Sequence, residues 1–177
     1  MEVLHQEFYG NSILNWVIAV GILILSFVVV KMLYWIFSNV IRRLTSKTKT
    51  SLDDVLIDKL EKPLTYLVLI LGYWISIHYL VFKVDVELVL ENVAYFLLVI
   101  DITAILSRVV DALITEIIMP ISEKSDSSFD NQLIPVIQKG VRSIIWILGI
   151  IIGLDNIGFD ITAMIAGLGI GGLALAL

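Results

Sequence analysis

The stretch Ile161-Thr162-Ala163-Met164-Ile165-Ala166-Gly167-Leu168-Gly169-Ile170-Gly171-Gly172-Leu173-Ala174-Leu175-Ala176-Leu177 carries no charge and alternates large apolar side chains with glycine and alanine. In lipid a large apolar side chain loses nothing by facing acyl tails, whereas a small one lets two backbones approach closely. Such a segment reads as a membrane helix packed against other helices along its whole length. It is too short and uniform to satisfy itself within one chain, so copies from other subunits are its natural partners, around a pore.

The rest of the chain agrees. Of its 177 residues 59% are hydrophobic and 16% charged, whereas soluble domains are about 45–50% apolar and about 25% charged. A soluble protein of this size has no interior large enough for that surface. Four further runs approach the roughly 20 apolar residues that a span requires: 13–37, 63–82, 89–118 and 136–154, with 161–177 as the fifth. Alternation at period two is absent, which argues against a membrane β-barrel. The expectation is an all-α membrane protein with five transmembrane helices. Glu2 and Glu7 precede the first run, and its cations, Arg42, Arg43, Lys47 and Lys49, follow it. That order is the reverse of a signal peptide, so the run is expected to remain in the mature protein.

Short-loop cations set the orientation. Segment 38–62 holds Arg42, Arg43, Lys47, Lys49, Lys59 and Lys62, and segment 119–142 holds Lys124, Lys139 and Arg142. The two other turns hold Lys83 and nothing. The chain then starts outside, crosses five times and ends in the cytoplasm, as a multi-pass protein of the cytoplasmic (inner) membrane. Trp16, Trp74, Tyr79, Phe82 and Tyr95 fall near outer ends; Tyr34, Trp35 and Tyr66 fall near inner ends.

A short internal repeat divides the chain into one lone span and two helical hairpins. Ser51-Leu52-Asp53-Asp54, Leu56-Ile57, Leu60 and Lys62 recur as Ser128-Phe129-Asp130-Asn131, Leu133-Ile134, Ile137 and Lys139. Ser and Asp are suited to capping a helix start. Each copy then meets a breaker, Pro63 or Gly140, expected to turn a surface helix into the membrane.

Little here suggests chemistry. Gly167-Leu168-Gly169-Ile170-Gly171-Gly172 matches the dinucleotide fingerprint formally, but no strand precedes it and no acidic residue follows. With no cysteine, thiolate sites and disulfides are excluded. His5 and His78 lack ligand spacing for a metal, and no nucleophile–base set suggests an enzyme. No cofactor is implied. No basic patch suited to nucleic acid is present, and the net charge of −5 is segregated by loop. Asp101, Arg108 and Asp111 are charges inside one apolar run, functional candidates by default. Arg108 and Asp111 are three apart and able to pair on one face. Both lie close enough to the inner interface to snorkel, and the group is read as structural.

Taken together, Ser128-Phe129-Asp130-Asn131, Leu133-Ile134 and the run from Gly158-Phe159-Asp160 through Leu177 resemble the small-conductance mechanosensitive channel (MscS) family. The likeness is specific over about the last fifty residues and weaker before. It implies a homo-heptamer whose last helix lines the pore, with Leu173 and Leu177 as gate leucines. The packing surface would be Ala166, Gly167, Gly169, Gly171, Gly172, Ala174 and Ala176. Residues 1–127 would form peripheral sensor helices and 128–177 the pore-forming hairpin. A largely β cytoplasmic vestibule is expected beyond Leu177, which stops in apolar residues and so is not expected to be the natural end. The implied partners are membrane lipids, permeating ions and small solutes. The implied function is a tension-opened pore releasing solutes in hypo-osmotic shock. The alternatives are a secondary transporter with Asp101 as its coupling site and a non-conducting assembly module.

Overall fold

The computed structural model describes residues 6–41, 51–120 and 128–176. Five helices dominate it: α1 (Ile13–Ile36), α2 (Ser51–His78), α3 (Val84–Leu113), α4 (Ser128–Asn156) and α5 (Thr162–Ala176). One π-helical turn extends α1 over Phe37–Ile41, and another extends α3 over Ile114–Ile118. Four helical stretches are long and apolar enough to cross a bilayer: Ile13–Asn39, Val55–His78, Val84–Ile118 and Leu133–Asn156. The fifth helix is apolar but shorter. Its 15 residues give a length of about 22 Å, against about 30 Å of hydrocarbon. The chain is a multi-pass, all-α membrane protein. The cations Arg42, Arg43, Lys47, Lys49 and Lys124, the histidine His5, the repeat's capping side chains and Leu177 lie outside the described residues.

α1 to α4 pack in sequence order, each against the next. Their contacts are made by small residues, as close packing in lipid demands. On α1 the buried residues are Ala19 and Ser26, two turns apart on one face. The Ser76 hydroxyl of α2 donates to the Ala19 carbonyl at 2.9 Å. A Cβ on Gly72 would sit 2.5 Å from that of Ser26. On α4, Gly149 faces Thr103 of α3, and a Cβ at Gly153 would lie 3.0 Å from the Phe96 ring. Most large side chains of α1 are exposed, and lipid is their solvent.

Two features depart from the sequence expectation. Pro63 and Gly140 do not break their helices: α2 runs unbroken for 28 residues and α4 for 29. Proline removes the amide that would bond the carbonyl four residues earlier, here that of Lys59. In membrane helices such a carbonyl is tolerated when a neighbour satisfies it, and Arg108 Nη1 of α3 donates to Lys59 O at 2.8 Å. The helix therefore continues through its proline.

The second departure is a small hairpin ahead of α1. Strands β1 (Glu7–Phe8) and β2 (Asn11–Ser12) pair antiparallel. The turn residues Tyr9 and Gly10 have φ of 50° and 77°, both positive as a tight two-residue hairpin of the I′ type requires. Asn11 is 2% exposed. Its amide reads the Val81 backbone from both sides: Nδ2 donates to Val81 O at 2.7 Å, and Val81 N donates to Oδ1 at 2.6 Å. Trp16 Nε1 donates to Phe8 O at 3.1 Å, and its ring meets Phe82 edge to face. The start of α1 is thereby fastened to the α2–α3 turn.

Candidate functional site

α5 stands apart. Every side chain from Thr162 to Ala174 is exposed, and among the described residues α5 shares no extensive packing with another helix of its chain. Leu173 is 68% exposed. The glycines sharpen the point. Gly72, Gly149 and Gly153 each face a neighbour that a Cβ would crowd, whereas Gly167, Gly169, Gly171 and Gly172 face open space. Gly72, Gly149 and Gly153 are explained by a packed neighbour, whereas the four of α5, like Gly21 on α1 and Gly140 on α4, are not. Met164, Gly167, Leu168, Gly171 and Gly172 instead border an apolar groove of about 900 Å³ shared with Ile144, Ile147 and Ile151 of α4.

The α4–α5 connection is short and specified locally. Phe159 N donates to Leu154 O at 3.1 Å and Gly158 N to Asp155 O at 2.9 Å. With Gly158 at φ 88°, this is a Schellman termination, with glycine in the left-handed position that a side chain disfavours. Asp160 then opens α5, its Oδ1 accepting from Thr162 N at 2.9 Å. Hydrogen bonds from the Thr162 side chain and backbone hold the Asp160 carboxyl below the usual carboxylate range.

Of the three α3 charges singled out in the sequence, Arg108 and Asp111 each bind another helix. Arg108 reaches α2, on Lys59 O, instead of snorkelling to solvent. Asp111 reaches α4: Gln138 Nε2 donates to Oδ1 at 3.2 Å, and Arg142 Nη1 lies 3.5 Å from Oδ2. The local Arg108–Asp111 pair allowed by their spacing is replaced by two bonds to different helices. Asp101 is 6% exposed, and its Oδ2 has no hydrogen-bond partner. Near the α2–α3 turn, His78 Nδ1 lies 2.9 Å from Trp74 O and Nε2 lies 3.4 Å from Glu91. Trp74 also packs on Tyr95.

Sequence reading passed over Asn11, Gln138 and Gly149, and took Lys59 as a loop cation, not as a backbone acceptor. Only the glycine carried a signal, as a small residue four before Gly153 on an apolar helix. No group of three or more His, Cys, Asp or Glu able to hold a metal occurs among the described residues.

Comparison with known proteins agrees with this arrangement. The family described as "Mechanosensitive ion channel, transmembrane helices 2/3" matches residues 139–177, which are α5 and most of α4. Over 98% of its length the chain is 30% identical to the small-conductance mechanosensitive channel MscMJ of Methanocaldococcus jannaschii, covering 50% of that protein. It is 26% identical to the large-conductance mechanosensitive channel MscMJLR of the same organism, over 99% of the chain and 49% of the relative. It is 25% identical to the uncharacterized MscS family protein YhdY of Bacillus subtilis, over 99% and 47%. The chain thus spans about half the length of the curated relatives it matches. No solved structure matches it. With the two C-terminal helices matched by the family and the whole chain aligned to its members, the chain belongs to the MscS family of mechanosensitive ion channels.

Proposed function

We propose that the protein is an ion channel opened by membrane tension, in which copies of α5 from several subunits surround a central pore. One observation carries this reading: α5 is apolar and glycine-rich, and none of its glycines is accounted for by a neighbour among the described residues. Glycine at such positions serves close approach of another helix, and a second copy of α5 is the partner of matching shape.

In this reading α1 to α3 are the peripheral, lipid-facing sensor within 1–127, and α4 with α5 is the pore-forming hairpin within 128–177. Tension favours whichever conformation has the larger in-plane area, by the product of tension and area difference. Helices embedded in lipid around the pore supply that area. Leu173 on α5, with Leu177 four residues further along the sequence, is read as the gate, because apolar rings in a narrow channel gate by dewetting. Gly169 lies one turn before Leu173, so the pore widens toward the other end. The family relationship supports a homo-heptamer that passes ions and small solutes in hypo-osmotic shock. Loop charge supports an inner-membrane orientation with the N-terminus outside.

Suction applied to patches containing the full-length protein tests the function. Stepwise currents that rise with tension are expected, and none should appear in patches lacking the protein. The chain has no cysteine, so a single Lys47→Cys substitution tests orientation. An impermeant thiol reagent should fail to label it from outside intact cells.

The secondary-transporter reading rests on the buried, unpartnered Oδ2 of Asp101. In a channel, Asp101→Asn leaves flux independent of a pH gradient, as in the unmodified protein. A gradient-driven flux lost in that variant would favour the transporter.

A further inference from the structure

Asp111 stands where the peripheral helices meet α4. Its two carboxylate oxygens are held by two residues one helical turn apart on α4, Gln138 on Oδ1 and Arg142 on Oδ2. The same face of α4 carries Gly149 against Thr103 and Gly153 against Phe96. A helix gripped at one point is free to roll or slide past its neighbour. Gripped at two points a turn apart, with two close backbone approaches further along, it has one register. Three residues before Asp111, Arg108 grips α2 through Lys59 O. Arg108 and Asp111 thus bind the helices on opposite sides of α3, α2 and α4, instead of each other.

We infer that Asp111 is the coupling residue through which movement of α2 and α3 is passed to α4, and so to α5. It is a positioning residue: it fixes the register of α4 and touches no permeating ion. The inference rests on the tension-gated reading and adds its internal linkage. If the grip is lost, α4 no longer follows α3 at once, and more tension is needed to open.

The test is a double-mutant cycle on the full-length protein, with tension midpoints measured in patches against a reference channel in the same membrane. Asp111→Asn and Arg142→Gln each should raise the midpoint, equivalent to a roughly two- to fivefold fall in the open-to-closed ratio at fixed tension, the range of a partly exposed ion pair. The double variant should be no worse than the worse single, and the exchange of Asp111→Arg with Arg142→Asp should recover part of the loss. Arg142 is 60% exposed, so Arg142→Gln carries the test alone if Asp111→Asn fails to assemble. Midpoints equal to the unmodified protein, or strictly additive shifts, overturn the inference while leaving the channel reading intact. An unmodified protein that stays silent under suction removes the channel reading and the inference with it.

Discussion

The guanidinium of Arg108 donates to the carbonyl of Lys59 at 2.8 Å, the acceptor that Pro63 leaves without its helical amide. A side chain of α3 therefore completes the backbone of α2. Replacing Arg108 with Met should cost about 1–3 kcal/mol, because a part-buried acceptor loses a charged donor. In a Pro63→Ala background the helix regains its own amide, and the same replacement should cost about 1 kcal/mol less. Thermal unfolding of the four proteins in detergent measures the cycle; equal costs in both backgrounds contradict the link.

Asn11→Ala removes both bonds to Val81. A loss of about 2 kcal/mol is expected from two hydrogen bonds of ordinary strength. Hydrogen exchange localises it: the Val81 amide should exchange at least about tenfold faster, while amides in the middle of α3 keep their rates. Unchanged exchange at Val81 would mean that the hairpin does not hold the turn.

The two classes of glycine predict opposite outcomes. Gly149→Ala places a methyl on Thr103 and should destabilise the subunit by about 1–3 kcal/mol, as overpacking does. Gly171→Ala meets nothing within the chain and should leave subunit stability unchanged or raised by up to about 1 kcal/mol through helix propensity. Its effect should fall on assembly and gating. Unfolding of detergent-dispersed subunits, set beside native-gel oligomer content, separates the two.

Leu173→Ser should hydrate the proposed constriction and lower the opening tension, giving leaky, slow-growing cells; Leu177→Ser should act alike. If threshold and growth stay unchanged in both, this face of α5 does not line the gate.

The Asp160 carboxyl is held below its usual range by Thr162. A depressed carboxylate stabilises the fold above the pKa it has when unfolded, and that contribution is lost as pH falls through the folded-state value. The start of α5 should therefore be firm at neutral pH and loosen in acid on the side of the membrane that it faces. Asp160→Asn should flatten this dependence, read as exchange of the Thr162 amide against pH. An acid-dependent exchange unchanged in that variant would place the sensitivity elsewhere.

Much of this architecture is local in origin, and to that extent it is legible in the sequence. Apolar run length marks the helices, and Gly158 followed by Asp160 marks the turn between α4 and α5. What escaped was tertiary. Pro63 reads as a breaker because the residue that repairs its helix is Arg108, whose backbone partner Lys59 lies 49 positions away. Arg108 and Asp111 read as a pair because spacing shows which residues can meet and not which neighbours outbid them. Asn11 is one asparagine among several until the Val81 backbone is brought to it. The exposed α5 meets no extensive packing among the described residues of its chain, and any partner outside the chain is beyond the reach of one sequence.

The Schellman turn at Gly158 and the absence of extensive packing along α5 together define a lever. Its fulcrum is the tight turn that joins it to α4, and its free arm ends at Leu173 and beyond. Over a length of about 22 Å, a tilt of about 10° leaves the Gly158 end nearly still and sweeps the far end sideways by about 4 Å. A small rotation of α4 would therefore produce its greatest displacement near Leu173, at the end of α5 farthest from the turn.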